Sequence, residues 1–377
     1  MSSINPDFIG KRILIRCDGS TEIGFGHVVR CLALADELSH EHGFHVDFAM
    51  LTGPKGVEQV QEKGYVVHLL EVEPTGAIHE GQWLEALVCA TDTQALVLDV
   101  RTDLSIQTIE RMRSLGVLII TIDDASNRRI AADLAFYPPV PQVERLDWCG
   151  FTGQRFVGWD WVLVRPEFAR CHRKLDRRVV AENSEPQNAA PLTLLLTMGG
   201  SDPAGLTLKA LKALDQIEQE LSILVVLGRG YMQKLKLEEW LKKARRSYHL
   251  HFDVQDMPAL MANADLAITS FGVTAYELAA MSVPSIYYCL SEDHCASASA
   301  FVEAGIAIDL GQYAQVSEHY AIEAIESMIK KIHLKDNIKD VAFESIDGRG
   351  IQRISSLIGT RLGEVNPTTD FIKNETY

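Results

Sequence analysis

The chain has no apolar run approaching the ~18 residues that would span a bilayer. Its opening residues, Met1 to Arg12, lack the apolar core of a secretory signal, so no membrane span and no export are expected. Cysteine is sparse. The seven, Cys17, Cys31, Cys89, Cys149, Cys171, Cys289 and Cys295, are odd in number and form no CxxC pair. That excludes a disulfide framework or a zinc ribbon and points to reduced, mostly structural thiols in a cytoplasmic protein. Twelve histidines include no HExxH, and no Walker A sequence occurs. Positive charge is also short, with 36 Lys and Arg against 51 Asp and Glu, for a net charge of −15. A nucleic-acid groove needs the opposite balance. An anionic small molecule remains compatible, because helix N-termini bind it locally. What is present is an ordinary globular composition: 377 residues, 47% hydrophobic and 23% charged. That length accommodates two cores.

Strand-length apolar runs alternate with helical periodicity throughout. In the first half, strands are expected over 12–16, 45–50, 66–70, 95–99 and 117–122, with helices over 27–41, 83–89 and 105–114. A basic cluster (His172, Arg173, Lys174, Arg177, Arg178) followed by a polar stretch reads as an interdomain linker over 171–190. A second alternation follows, with strands over 192–197, 223–227, 250–252, 266–269, 285–288 and 307–310. Its helices are expected over 205–214, 234–245, 273–281 and 296–304. The expected architecture is α/β, two doubly wound Rossmann-type domains facing a cleft. Domain one covers 1–170 and domain two 191–346, with a C-terminal helix and polar tail over 347–377.

The densest signal is Ile23-Gly24-Phe25-Gly26-His27, a glycine-rich turn between an apolar strand and a helix with Val28, Cys31, Leu32, Leu34, Ala35 and Leu38 on its buried face. Such a turn presents free backbone N–H groups, and the helix dipole favours negative charge above it. His27 in the first helical turn is placed to move a proton, and the same dipole disfavours imidazolium, as a general base requires. The turn matches only part of a dinucleotide fingerprint. The acidic residue at the right distance, Asp47, lies inside a strand, which argues against a nicotinamide or flavin. Met198-Gly199-Gly200-Ser201-Asp202-Pro203 repeats the theme after the first strand of the second half, with Ser201 or Asp202 as a helix cap. Gly272-Val273-Thr274-Ala275-Tyr276-Glu277 follows another strand, where backbone N–H groups suit a phosphate and Glu277 suits ribose hydroxyls. Asp99 and Asp123-Asp124 also close strands. With no third ligand at a convincing spacing, they read as caps and turns rather than a metal site.

Together these stretches resemble the PseG/SpsG family. The blocks are Arg16-Cys17-Asp18-Gly19-Ser20 through Leu32, Ile122-Asp123-Asp124, Leu163-Val164-Arg165-Pro166-Glu167-Phe168, Met198 to Pro203, Gly272-x-Thr274-x-x-Glu277 and Asp347-Gly348-x-Gly350-x-x-Arg353-Ile354. They span nearly the whole chain, and the first is the specific one. The resemblance implies the GT-B fold and a likeness to the glycosyltransferase MurG. It also implies the activity of the characterised hydrolase, in which water attacks the anomeric carbon of UDP-2,4-diacetamido-2,4,6-trideoxy-β-L-altropyranose without a metal or other cofactor. UDP and a free sugar for pseudaminic acid synthesis are released. By resemblance His27 carries the acid/base role. Gly24, Gly26, Arg16, Asp18, Asp99, Arg101, Asp293 and His294 fall on the sugar side. Gly199, Gly200, Ser201, Gly272, Thr274 and Glu277 hold the UDP. Two positions depart from the hydrolase pattern: Val100-Arg101 stands for His-Tyr, and Asp293-His294 for Asn-Gln. Hydrolysis of a UDP-activated amino or deoxy sugar is the leading expectation. A GT-B glycosyltransferase, with Arg101 pairing an anionic acceptor, is the second. A non-catalytic nucleotide-sugar binder, with no use for His27, is the third.

Overall fold

The computed structural model describes residues 10–20, 24–51, 54–70, 79–169, 191–333 and 346–364. The expected linker over 171–190 and the tail beyond 364 lie outside them. The first sheet is entirely parallel: β1 (Arg12–Cys17), β2 (His45–Met50), β3 (Val66–Leu69), β4 (Thr93–Asp99), β5 (Leu118–Ile122), β6 (Leu134–Tyr137) and β7 (Gln154–Val157). Its order is β3-β2-β1-β4-β5-β6-β7. Helices α1 (Gly26–His40), α2 (Pro54–Glu62), α3 (Glu80–Ala90) and α4 (Ile106–Ser114) cover it. The pleat sorts the strand residues. Ile13, Ile15 and Val97 pack toward α1, while Leu14, Leu96 and Leu98 pack toward α3 and α4. Both faces are buried, which is why the strands read as continuous apolar runs.

The second sheet, also parallel, runs β10-β9-β8-β11-β12-β13. Its strands are β8 (Leu192–Thr197), β9 (Leu221–Leu227), β10 (His249–Phe252), β11 (Leu266–Ser270), β12 (Ser285–Cys289) and β13 (Ala307–Gln312). Its helices are α5 (Leu206–Leu214), α6 (Lys234–Leu241), α7 (Met257–Ala262), α8 (Val273–Ala280), α9 (Glu292–Glu303) and α10 (Glu318–His333). The last helix, α11 (Gly350–Glu364), returns to the first domain. Ile351, Ile354, Ile358 and Leu362 join the core around α1. The approach is close: a Cβ at Gly350 would lie 2.1 Å from the Val162 carbonyl oxygen. In the opposite sense Val162, Val164 and Phe168 pack into the second domain's core. The chain therefore crosses between the two bodies twice, and each crossing buries apolar side chains in the other body.

Several elements go beyond the sequence reading: β6, β7, α2, α7 and α10. Helix α9 also starts four residues before the expected 296, at Glu292. Ser291 caps it, its side chain accepting from the His294 N–H at 3.2 Å, and Glu292 and Asp293 sit in the first turn. Among the described residues, no helix is long and apolar enough to cross a membrane.

Candidate active site

Strand order reverses between β1 and β4 in the first sheet and between β8 and β11 in the second. At such a switch point the loops at the carboxyl edge part, and a crevice opens. His27, Asp99 and the Gly24–Gly26 turn lie at the first of these points, and the Gly199–Ser201 and Gly272 turns at the second. Asp99 closes β4 beside Cys17 of β1, and His27 begins the helix that leaves β1.

His27 Nδ1 lies 2.7 Å from Asp99 Oδ1. Arg30, one helical turn on, grips the same carboxylate with both arms: Nε donates to Oδ2 at 2.6 Å and Nη2 to Oδ1 at 2.5 Å. The Cys31 thiol donates to Oδ2 at 3.3 Å. Burial alone would raise the Asp99 carboxyl, but Arg30 and His27 overcome it and hold it well below the usual carboxylate range. An ionised Asp99 only accepts, so His27 Nδ1 carries the proton facing it and the neutral ring keeps Nε2 as its lone-pair nitrogen. The tautomer is set by this carboxylate rather than by the helix start alone. The imidazole is not sealed in the core, since its side chain keeps 20% exposure.

Asp123, just beyond β5, adopts φ +52° and pairs with Arg101 (3.1 Å) and, more loosely, Arg30 (3.8 Å). Burial raises its carboxyl against the pull of both arginines. Asp124 is a structural cap, accepting from the Ser126 N–H at 2.8 Å and from Arg128 at 2.5 Å.

In the second domain, Gly199 has φ +73°, a left-handed turn that glycine adopts without strain. Asp202, rather than Ser201, caps the following helix: its carboxylate accepts from the N–H groups of Leu206 and Thr207, both at 2.8 Å. Gly200 and Ser201 stay accessible at the turn. Gly272 begins α8, and space around its Cα is open. Thr274 is half-buried one residue into the helix. Glu277 is buried, and Arg165 Nε donates to its Oε1 at 3.0 Å. Burial raises the Glu277 carboxyl, with Arg165 opposing.

The two halves touch. A Cβ on Gly26 would lie 3.0 Å from Val273 Cγ2, so glycine lets the first turn of α1 meet the first turn of α8. Phe25 packs over Gly200. Gln142 of the first domain donates to the Asp293 carbonyl (2.9 Å), to its carboxylate (3.1 Å) and to Ser297 Oγ (2.8 Å). Tyr276 of α8 is half-buried, and desolvation raises its phenol, with Asp123 adding to the shift and Arg30 opposing it from across the junction. His294 lies 6.0 Å from the Phe271 ring, its Nδ1 buried without a hydrogen-bond partner, and burial lowers its pKa with Arg101 adding to the effect.

Two expected sugar-side residues sit elsewhere. Arg16 is completely buried, with Nε donating to Glu80 (2.9 Å) and Nη2 pairing with Asp18 (2.6 Å). Asp18 also accepts from the Leu51 N–H at 2.8 Å. The two tie the ends of β1 and β2 to α3, because a guanidinium without solvent must be neutralised by protein groups. Asp99 likewise faces His27 and Arg30 and acts through them. Asp47, buried in β2, is bound by Arg12 and His68. Arg30, Asp123, Arg165 and Gln142 join the site unanticipated. Arg30 carried a positional signal, the i,i+3 spacing from His27, and Asp123 its place at a strand end.

The glycosyltransferase family 28 C-terminal domain profile matches residues 194–349. The chain is 24% identical over 292 residues to an uncharacterized protein of Methanocaldococcus jannaschii, covering 73% of this chain but only 55% of that protein. It is 23% identical over 363 residues to the spore coat polysaccharide biosynthesis protein SpsG of Bacillus subtilis, covering 91% of this chain and 96% of SpsG. Among solved structures, Acinetobacter baumannii MurG superposes with a TM-score of 0.68 at 16% identity, over 93% of this chain and 99% of MurG. The S. aureus MnaA–UDP co-structure gives 0.61 at 12%, over 96% and 100%. The chain is thus similar to SpsG along nearly its whole length, its second domain matches the family 28 profile, and its two-sheet architecture is the GT-B fold seen in MurG.

Proposed function

We propose that the chain hydrolyses a UDP-activated amino or deoxy sugar in surface-glycan or nonulosonic acid biosynthesis. The observation that carries this reading is the His27–Asp99 pair at the β1/β4 switch point, beside the α8 turn of the opposite domain. In the proposed step, His27 Nε2 takes a proton from water as its oxygen bonds to the anomeric carbon from the face opposite the leaving group. The bond from that carbon to the diphosphate oxygen breaks, UDP departs with the electron pair, and configuration inverts. Asp99 holds the ring and stabilises the imidazolium that forms. The N–H groups of the Gly24–Gly26 turn face the diphosphate, and the Gly199-Gly200-Ser201 and Gly272 turns with Thr274 hold the nucleotide. Glu277 accepts from the ribose hydroxyls. Arg101, Asp293 and His294 contact the sugar. The MnaA structure solved with UDP and the polysaccharide role in the name of SpsG support a nucleotide-sugar substrate.

The transferase reading is favoured by the family 28 match and by Arg101, whose side chain is 57% exposed, though paired with Asp123, and reachable by an anionic acceptor. One experiment separates the readings: a panel of UDP- and CMP-sugars is incubated with the protein alone and followed by phosphorus NMR. Sustained UDP release in water supports hydrolysis. Release that waits for an added acceptor overturns it in favour of transfer, and tight binding without release by any preparation supports a binding protein.

A further inference from the structure

Behind the sugar side of the site lies a cluster that the proposed reaction does not use. Cys289 closes β12, Cys295 sits in the second turn of α9, and Asp309 lies in β13. The ligand atoms of the three side chains all lie within 4.8 Å of one another. The β12–β13 register breaks between Tyr287/Asp309 and Cys289/Gln312, and this irregularity turns Asp309 toward Cys289. The Cys289 thiol donates to Asp309 Oδ1 at 3.2 Å, and the same oxygen accepts from the Gly311 N–H at 2.8 Å. Cys289 is buried, and Cys295 and Asp309 are half-buried.

We propose that Cys289, Cys295 and Asp309 bind a thiophilic divalent cation of the zinc class, with water in the fourth position. Two thiolates and a carboxylate are the donor set such ions select. Bonds of ~2.3 Å to sulfur and ~2.0–2.2 Å to oxygen place tetrahedral donors within the spacing seen here. Binding forms two metal–sulfur bonds and one metal–oxygen bond and releases both thiol protons to solvent. The ion would clasp the start of α9 to the ends of β12 and β13. The turn it fixes carries Asp293 and His294, and Gln142 of the other domain already donates to Asp293 and to Ser297 of the same helix. The inference is independent of the reaction proposed above.

The test uses the full chain with the exposed Cys89 and Cys149, together with Cys171, replaced by serine. Cadmium is titrated into this protein, and the ultraviolet sulfur-to-metal charge-transfer band and the native mass are read. One ion per chain and a two-thiolate band are expected. Cys295→Ser should roughly halve the band and weaken binding by at least about tenfold. Asp309→Asn should keep the band while weakening binding on a similar scale, which guards against a misfolded cysteine variant. Both variants are checked by circular dichroism. No retained ion, or a band that Cys295→Ser leaves unchanged, overturns the proposal.

Discussion

Two buried carboxyls lie under glycine turns, one in each domain, and each is paired with an arginine: Asp99 with Arg30, Glu277 with Arg165. They are held in opposite senses. Asp99 receives both arms of Arg30, a thiol and His27, and stays ionised well below the usual range. Among the described residues Glu277 pairs with Arg165, which also pairs with Glu167 at 3.1 Å, and burial pushes its carboxyl upward. Asp99 is thus a fixed charge whose partners are all protein. Glu277 is under-compensated, and a donor arriving with a ligand would stabilise its charged form. The first arrangement suits orienting a base, the second suits receiving ribose hydroxyls.

The strongest way to break this division is His27→Ala. Turnover should fall ~10²–10⁴-fold, equivalent to roughly 3–5 kcal/mol of barrier. UDP affinity by calorimetry should stay unchanged, and a simultaneous loss of UDP binding would merge the two halves into one function. Asp99→Asn should come next, with turnover down roughly 10²-fold because nothing then dictates the imidazole tautomer. Arg30 loses its neutralising partner in the same variant, so urea denaturation should show a loss of about 3 kcal/mol. On the opposite lobe, Glu277→Gln should raise the UDP dissociation constant about tenfold, the worth of a hydrogen bond to a charged acceptor. Turnover at saturating substrate should change little. Equal affinity in wild type and variant would remove Glu277 from the nucleotide site.

The residues of this division differ in how legible they were. His27 and the three glycine turns were readable because a strand, a turn and a helix start are contiguous, so periodicity alone places them at a carboxyl edge. The same contiguity made most strands and the first helices visible. Strands β6 (Leu134-Ala135-Phe136-Tyr137) and β7 (Gln154-Arg155-Phe156-Val157) are four residues each, and β7 is half polar, so neither carries a period. The start of α9 lies in Ser291-Glu292-Asp293-His294, polar residues without an apolar period that nonetheless form a cap with first-turn acids. Asp99 read as a cap because its partner lies 72 positions away in sequence. Arg16 has the chemistry of a substrate contact, and only the fold shows Asp18 and Glu80 closed around it.

The smallest expected effect tests the electrostatic contrast without any ligand. Asp99 is depressed, so its contribution to stability is complete above the ordinary carboxylate value of about 3.9 and fades only as pH falls below it. Between neutrality and mild acid Asp99 is silent. Glu277 is raised, so the folded state binds its proton more tightly than the unfolded chain does. Its contribution therefore declines as pH rises from the ordinary glutamate value through the raised one, with a slope of at most about 1.4 kcal/mol per pH unit. Asp123 and Asp202 are raised by burial as well and share this sign, so the raw profile does not isolate one residue. The difference between wild type and Glu277→Gln does. In urea denaturation across mildly acidic to neutral pH, wild type should lose stability relative to the variant as pH rises. A difference of the opposite slope would mean that Arg165 dominates burial, leaving Glu277 as fixed a charge as Asp99.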